Sequence, residues 1–417
     1  MRISPAACLS VSLLAVASAC GGQGGSPEPA AERFQLTEVD GVAVATTSGG
    51  PLYEGNLFDF KPILELRQDP GLEESLLFGP VDFTVGPNGF YYVVDRGNSR
   101  IAVFDSEGNY VRAFGRRGDG PGEFGDTMLL QSFDGDVLAI FEFQSQRTSR
   151  FATDGTFLET ISLPGSGLAI SLDRGPGDTL IVTRSNRQSD DDSAWESWRM
   201  EILDDAGAKV LAAVSTGSVR TTVTQALETA DGPVTLSRSM PYVGSPTVRY
   251  VPERGVLVTD GDKPALRWHG FDGVPTKRIV IDLPVRPITA AIRGDWEERQ
   301  RKRRVEAARA RGAEPQPYPT PEYPNAVGLW SSVLVDDAGY IWLLDVWSAH
   351  QRSDDEGFNY HVVDPEGRYL GLAELPARRA QIRDNRLMTI LEDPISGEAV
   401  PTVFSITSAV PGLVYRD

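Results

Sequence analysis

One stretch decides the fold class. Residues 78–124, FGPVDFTVGPNGFYYVVDRGNSRIAVFDSEGNYVRAFGRRGDGPGEF, break into four apolar runs separated by Pro87-Asn88-Gly89, by DRGNSR and by Ser106-Glu107-Gly108-Asn109. Alternating or β-branched runs of this length are strands, and the separators are hairpin turns. Four such strands in sequence make an antiparallel meander the size of one propeller blade. The unit recurs when the chain is aligned on Gly108, the glycine of its third hairpin, with equivalents at Gly155, Gly207, Gly273 and Gly367. At the first offset Asp95 falls on Glu142, Arg100 on Arg147 and Phe104 on Phe151. The 42 Gly and 29 Pro of the 417 residues fit a chain built from turns, too many for a helical bundle and too aperiodic for collagen.

Outer strands give an independent count: YVRAFG (110–115), FLETISL (157–163), KVLAAV (209–214), KRIVIDL (277–283) and RYLGLAEL (368–375). A sixth, KPILELR (61–67), precedes the first complete blade, and its partners are the strand-like RLMTILED (386–393) and TVFSITS (402–408). The expectation is an all-β chain, a single six-bladed β-propeller of four-stranded antiparallel blades over residues 34–417. An N-terminal strand closes the ring and removes two exposed sheet edges. The run at 78–124 resembles the NHL repeat, and FGRRGDGPGEF (114–124) is similar to the inter-blade link of bacterial six-bladed propeller lipoproteins. The resemblance implies the fold and a habit of ligand binding. NHL-like propellers include non-enzymatic protein- or RNA-binding platforms and, more distantly, lyases and lactone hydrolases with a metal in the central channel, so the fold alone does not settle function.

The first residues, MRISPAACLSVSLLAVASAC, combine one early Arg, a short apolar stretch and small residues before Cys20. That is the pattern of a secretory signal peptide over residues 1–19, too short to span a bilayer. The small-x-small-Cys ending resembles a bacterial lipobox, in which the cysteine becomes the lipidated N-terminus. Ala17-x-Ala19 also suits ordinary signal peptidase, and both cuts precede Cys20. Cys8 lies inside the signal and Cys20 is the only other cysteine, so a chain that otherwise avoids thiols keeps one at the cleavage point, which favours lipidation. Residues 20–33 then read as a lipidated cysteine and flexible tether, with palmitate as the label to follow. Gly21 is not the aspartate that favours inner-membrane retention in enterobacterial sorting, so the expected address is the cell envelope, at the outer membrane.

Two features depart from the repeat. Residues 285–324 form an insertion between blades, read as a helix over 289–311 with a net charge of +4, followed by a proline-rich return. Two long, acidic, Trp-containing loops, 184–198 and 347–359, join second to third strands. In a propeller those loops and the inter-blade links share one face beside the axial channel. This gives a candidate binding face: Trp195, Trp198 and Trp347 as stacking surfaces, with carboxylates from Asp191 within Asp190–Asp192 and from Asp354 and Asp355. Such a set suits an envelope protein, a peptide, a glycan or a cationic group. The bland alternative is that the acidic loops pair with the basic helix and seat it as a lid.

The acids that end second strands, Asp95, Glu142, Asp260 and Asp345, recur around the ring. They are the candidate Ca²⁺ ligands of an alternative reading, a divalent-metal hydrolase or lyase at the channel mouth; their recurrence equally suits carboxylates that accept hydrogen bonds from their own loops. Of three histidines, His269 and His361 fall in third strands, and His350, beside Trp347, is the one placed for acid–base work. GSGLAIS (165–171) is followed by a strand and is not a nucleophile elbow. A formal charge of −18 argues against a general nucleic-acid or anionic-membrane binder. The primary expectation is a monomeric, non-catalytic binding lipoprotein without cofactor, touching the membrane through its lipid alone.

Overall fold

The computed structural model describes residues 33–415, apart from 126–127, 135, 163–168, 190–192, 205–206, 208, 230–231, 315–320, 352–356 and 394–395. Six sheets, each built on four strands, form a six-bladed propeller. Blade 1 is β4 (Pro80–Val85), β5 (Tyr91–Asp95), β6 (Arg100–Phe104) and β7 (Tyr110–Phe114). Blade 2 is β8 (Met128–Asp134), β9 (Val137–Glu142), β10 (Arg147–Ala152) and β11 (Phe157–Ser162). Blade 3 takes β12 (Ala169–Arg174), β13 (Leu180–Ser189), β14 (Ser193–Leu203) and β15 (Val210–Ser215), and blade 4 takes β18 (Thr247–Val251), β19 (Gly255–Thr259), β20 (Ala265–His269) and β21 (Pro275–Ile281). Blade 5 runs β22 (Trp330–Val335), β23 (Ile341–Asp345), β24 (Phe358–Val363) and β25 (Tyr369–Leu375). Blade 6 combines β26 (Gln381–Arg383), β27 (Arg386–Glu392) and β28 (Ala399–Ser408) with β3 (Phe58–Glu65), which pairs antiparallel with β28. The N-terminal strand therefore closes the ring, as its lack of neighbours in sequence implies.

The five aligned glycines all sit at the turn between third and fourth strands with left-handed backbone, φ being 81° at Gly108, 90° at Gly155, 68° at Gly207, 79° at Gly273 and 95° at Gly367. Each of these hairpins carries a register shift close to the turn, where one strand gains a residue. A positive φ next to a bulge is the arrangement that favours glycine. The core follows the same repeat. Six apolar clusters fill the six wedges between neighbouring blades, for example Tyr92, Val94, Phe124 and Ile140 between blades 1 and 2, and Leu257, Trp268, Trp330 and Leu343 between blades 4 and 5.

Three elements differ from the sequence reading. A hairpin of β1 (Phe34–Val39) and β2 (Val42–Thr47) precedes the closing strand and joins blade 4, with β2 parallel to β21. Residues 184–189 and 193–198 are strand and not loop: β13 and β14 run on as a long ladder from Leu180↔Leu203 to Ser189↔Ala194. The extended part of β14 pairs in turn with β16 (Val219–Thr229), which pairs with β17 (Gly232–Ser239), so blade 3 grows sideways into a wider sheet. Backbone pairing with β16 makes strands of a segment too polar to be read as one. The segment 347–359 opens within the short helix α2 (Val346–Gln351) and ends within β24. The inserted helix is present as α1 (Ala290–Ala310), capped by Thr289, whose side chain accepts from Ile292 N.

Candidate functional site

The strand-end acids are engaged within their own blades. Asp95, fully buried, accepts hydrogen bonds from Phe78 N at 2.8 Å, Asn98 Nδ2 at 2.7 Å and Arg100 Nε at 2.9 Å. Glu142 accepts from Gly125 N and from Arg147, whose remaining donors reach Asp119 O and Glu123 O. Asp260 accepts from Gly217 N, Lys263 and Arg267. Each of these three acids thus takes an amide from the segment entering its blade and a cation from its own third strand or the preceding loop. The pair works as a staple between link and blade, and in blade 2 it holds the RRGDGPGEF turn. Burial opposes ionisation of Asp260, but the Gly217 amide, Lys263 and Arg267 outweigh it and hold the carboxyl below its ordinary range.

Blade 5 varies the theme: Asp345 accepts from Ser348 N at 2.7 Å and from His361 Nε2 at 3.2 Å, and the other nitrogen of His361 lies 2.8 Å from Tyr369 Oη. Burial works against the Asp345 carboxylate and the His361 contact overcomes it, leaving the carboxyl lowered. His269 is buried in blade 4, as its alignment with Phe104 implies. Among the described residues, no three His, Cys, Asp or Glu side chains come together as a metal site.

The decorated face is held by aromatic and apolar contacts. Trp296, the buried residue of α1, packs with Ile288, Tyr242, Val327 and Val346, and Ile292, Tyr323 and Trp347 border the cluster. Trp347 is stacked on Tyr242 with ring centroids 6.0 Å apart and carries the Arg286 guanidinium at 4.6 Å from its ring centroid. His350 lies against the same tyrosine at 4.9 Å, and its Nδ1 sits 2.9 Å from Val346 O; burial holds the imidazole below its ordinary pKa. Arg220 of β16 pairs with Glu322 of the return segment, fastening the widened sheet of blade 3 to the insertion.

The sequence-expected residues are therefore only partly brought together. Trp347 and His350 share the insertion cluster, where both are half-buried. Trp198 lies between blades 3 and 4, and its indole N–H donates to Glu196 Oε1 at 2.8 Å. Trp195, 40% exposed on the extended part of β14, is the most exposed of the three. Asp191, Asp354, Asp355 and Cys20 lie outside the described residues.

Two features went unread in the sequence. The first is an open cleft of about 420 Å³ beside the outer strand of blade 3, lined by Ser215, Thr216, Asp260, Lys263, Arg267 and His269. The second is on the propeller axis. Asp82 of innermost strand β4 accepts from Phe83 N at 2.9 Å and from Gln381 Nε2 of blade 6 at 3.0 Å. Arg249, on the innermost strand of the opposite blade, donates to Val333 O at 3.3 Å and attracts Asp82 across the ring, as does Arg379. A charged residue in the middle of the apolar runs PVDFTV and TVRYV was the available signal.

A family model described as a 6-bladed beta-propeller matches residues 73–211. No curated protein matches the sequence at significant similarity. Among solved structures, a Bacteroides fragilis protein described as exported is 13% identical, covering 84% of this chain and 96% of its own, with a TM-score of 0.45. A member of the duf4221 family from Bacteroides vulgatus is 11% identical over 85% of this chain and 100% of its own, with a TM-score of 0.43. A catalytically inactive virginiamycin B lyase from Staphylococcus aureus, solved with quinupristin, is 13% identical over 83% of this chain and 99% of its own, with a TM-score of 0.36. None of the three is close enough to carry a function over. Six sheets, a ring closed by its N-terminal strand and the family match agree that the chain is a six-bladed β-propeller.

Proposed function

We propose that the chain is an exported cell-envelope lipoprotein, anchored through Cys20 in the outer membrane, whose propeller binds a protein, peptide or glycan partner without catalysis. The observation that carries this reading is the widening of blade 3. Strands β13 and β14 continue beyond the blade, recruit β16 and β17, and are tied to the insertion by the Arg220–Glu322 pair, which builds a shelf around the exposed ring of Trp195. Ring closure needs none of this, and an exposed aromatic ring on a pleated shelf is a common element of recognition surfaces. The engagement of Asp95, Glu142 and Asp260 by arginines, and of Asp345 by His361, supports a structural role for them. The signal-like segment at 1–19 and the cysteine at position 20 support export and lipidation.

A photo-crosslinking amino acid at position 195, introduced into the chain in its native envelope, tests the binding surface. A defined adduct is expected from position 195 and none from position 107, in the hairpin turn of blade 1. Equal adducts from both positions, or none from either, would overturn the assignment of the face. Labelling with palmitate should be lost in Cys20→Ala, and unchanged labelling would remove the anchor.

A further inference from the structure

The outer half of α1 is strongly cationic. Residues 301–311 hold six basic side chains and one acid, in a chain whose overall charge is −18. The helix is fixed to the propeller by its first turns, through Ile292 and Trp296, and from Arg301 onward no residue of it is buried. Arg301, Lys302, Arg303, Arg309 and Arg311 are exposed. Glu298 pairs with Arg301 and lies 3.9 Å from Lys302, whereas Arg303, Arg309 and Arg311 have no ion-pair partner among the described residues. Apolar residues form no continuous stripe along the helix, so it is not built to sink into hydrocarbon; what it offers is charge.

Its position says which anion it meets. Phe34 pairs with Thr47, Thr47 pairs with Ile281 at the end of blade 4, and the insertion begins four residues later; Gly49 N donates to Asp282 Oδ2 at 3.1 Å. The N-terminal segment that carries Cys20 therefore joins the body at the root of the insertion. Arg33 lies thirteen positions along the chain from Cys20, a reach of at most about 45 Å when fully extended. The exposed half of α1 is itself about 16 Å long. A lipid at Cys20 would hold the root of this helix within that reach of the membrane, where the surface charge comes from phospholipid headgroups. Beyond a Debye length of about 8 Å the acidic remainder of the protein is largely screened, so the local excess of positive charge governs contact.

We propose that the cationic half of α1 rests on an anionic phospholipid surface and serves as a second membrane contact beside the anchor. The geometry rests on the lipidation at Cys20, but the test does not. The mature chain carrying Cys20→Ser, free of any acyl group, is floated with phosphatidylcholine vesicles containing about a third phosphatidylglycerol, and with phosphatidylcholine alone. Partition onto the anionic vesicles at low salt is expected, at least tenfold weaker on phosphatidylcholine and at least tenfold weaker in 0.3 M salt. Reversal of Arg303, Arg309 and Arg311 to Glu should abolish it with an unchanged melting temperature. The same charge change at Lys61, Arg67 and Lys209, which are exposed on other blades, should leave most of it. Equal partition on both vesicles, no partition on either, or equal loss in the two triple variants would overturn the proposal, as would an α1 variant that binds like the parent. Palmitate labelling reports separately on the anchor, so either idea can fail alone.

Discussion

The carboxyl group on the axis gives a quantitative prediction. Asp82 keeps some contact with solvent in the channel yet is enclosed by the inner strands, and this burial pushes its carboxyl up from 3.8 to about 6, against the hydrogen bond from Gln381, the Phe83 amide and the pull of Arg379 and Arg249. A raised acid binds its proton more tightly in the folded than in the unfolded chain. Its favourable contribution is therefore complete below about pH 4 and is lost as pH rises through about 6. A shift of roughly two units at about 1.4 kcal/mol each makes the ionised side chain cost about 3 kcal/mol of stability at neutral pH. Asp82→Asn removes the titration, keeps the shape and retains an acceptor for the Phe83 amide. Urea unfolding followed by tryptophan fluorescence at several pH values between 4 and 7.5 should show the variant equal to the parent at pH 4 and more stable by about 3 kcal/mol at pH 7.5. Parallel pH profiles for the two proteins would refute the reasoning, as would a variant that loses stability relative to the parent as pH rises.

Asp95→Ala should destabilise by about 3 kcal/mol in urea, because it strands Arg100 and the Phe78 amide in a buried site. Gly108→Ala should cost about 2 kcal/mol or more, since φ is +81° and a Cβ would stand 2.8 Å from Glu65 O of the closing strand; Gly89→Ala, with φ +77° and open space around it, should cost about 1 kcal/mol. Millimolar calcium or EDTA should move the melting temperature by no more than about a degree. A rise of several degrees with calcium would restore the channel-mouth metal reading.

Much of the architecture was legible because the propeller repeats its demands. The turn between third and fourth strands needs a left-handed residue in each of blades 1 to 5, so Gly108 and its equivalents mark the unit even where the strands diverge. The Asp95–Arg100 and Glu142–Arg147 pairs were visible at a fixed offset for the same reason. Strands defined only by backbone pairing were harder to see. RSNRQSDDDSAWESW lacks the apolar alternation of a half-buried strand, and its pairing is supplied by β16, some twenty residues downstream. The β1–β2 hairpin did leave a signal in Asp40-Gly41, whose φ values of 51° and 79° suit a tight hairpin turn. The insertion helix was bounded closely by its composition and its Thr289 cap, whereas its seating on Tyr242 and Trp347 depends on contacts between blades. The axial charges were missed because a sequence shows that Asp82 and Arg249 interrupt apolar strands, but not that they face each other across a ring.

The pairing of β3 with β28 has a consequence for how the protein is made. Ser405 bonds to Lys61 across 344 residues of chain, so the first strand of the ring must wait, unpaired, for nearly the last one. A chain made N-terminus first presents blades 1 to 5 in order, each able to form from its own consecutive strands. Blade 6 and the wedge of core on either side of it cannot form until β28 has emerged. Throughout that interval an open sheet edge is exposed at each end of the incomplete ring, a template for pairing with other chains. Ring closure is then a single late event with a large loop to close, and the time spent before it, more than the stability reached after it, sets the exposure of this chain to aggregation and proteolysis.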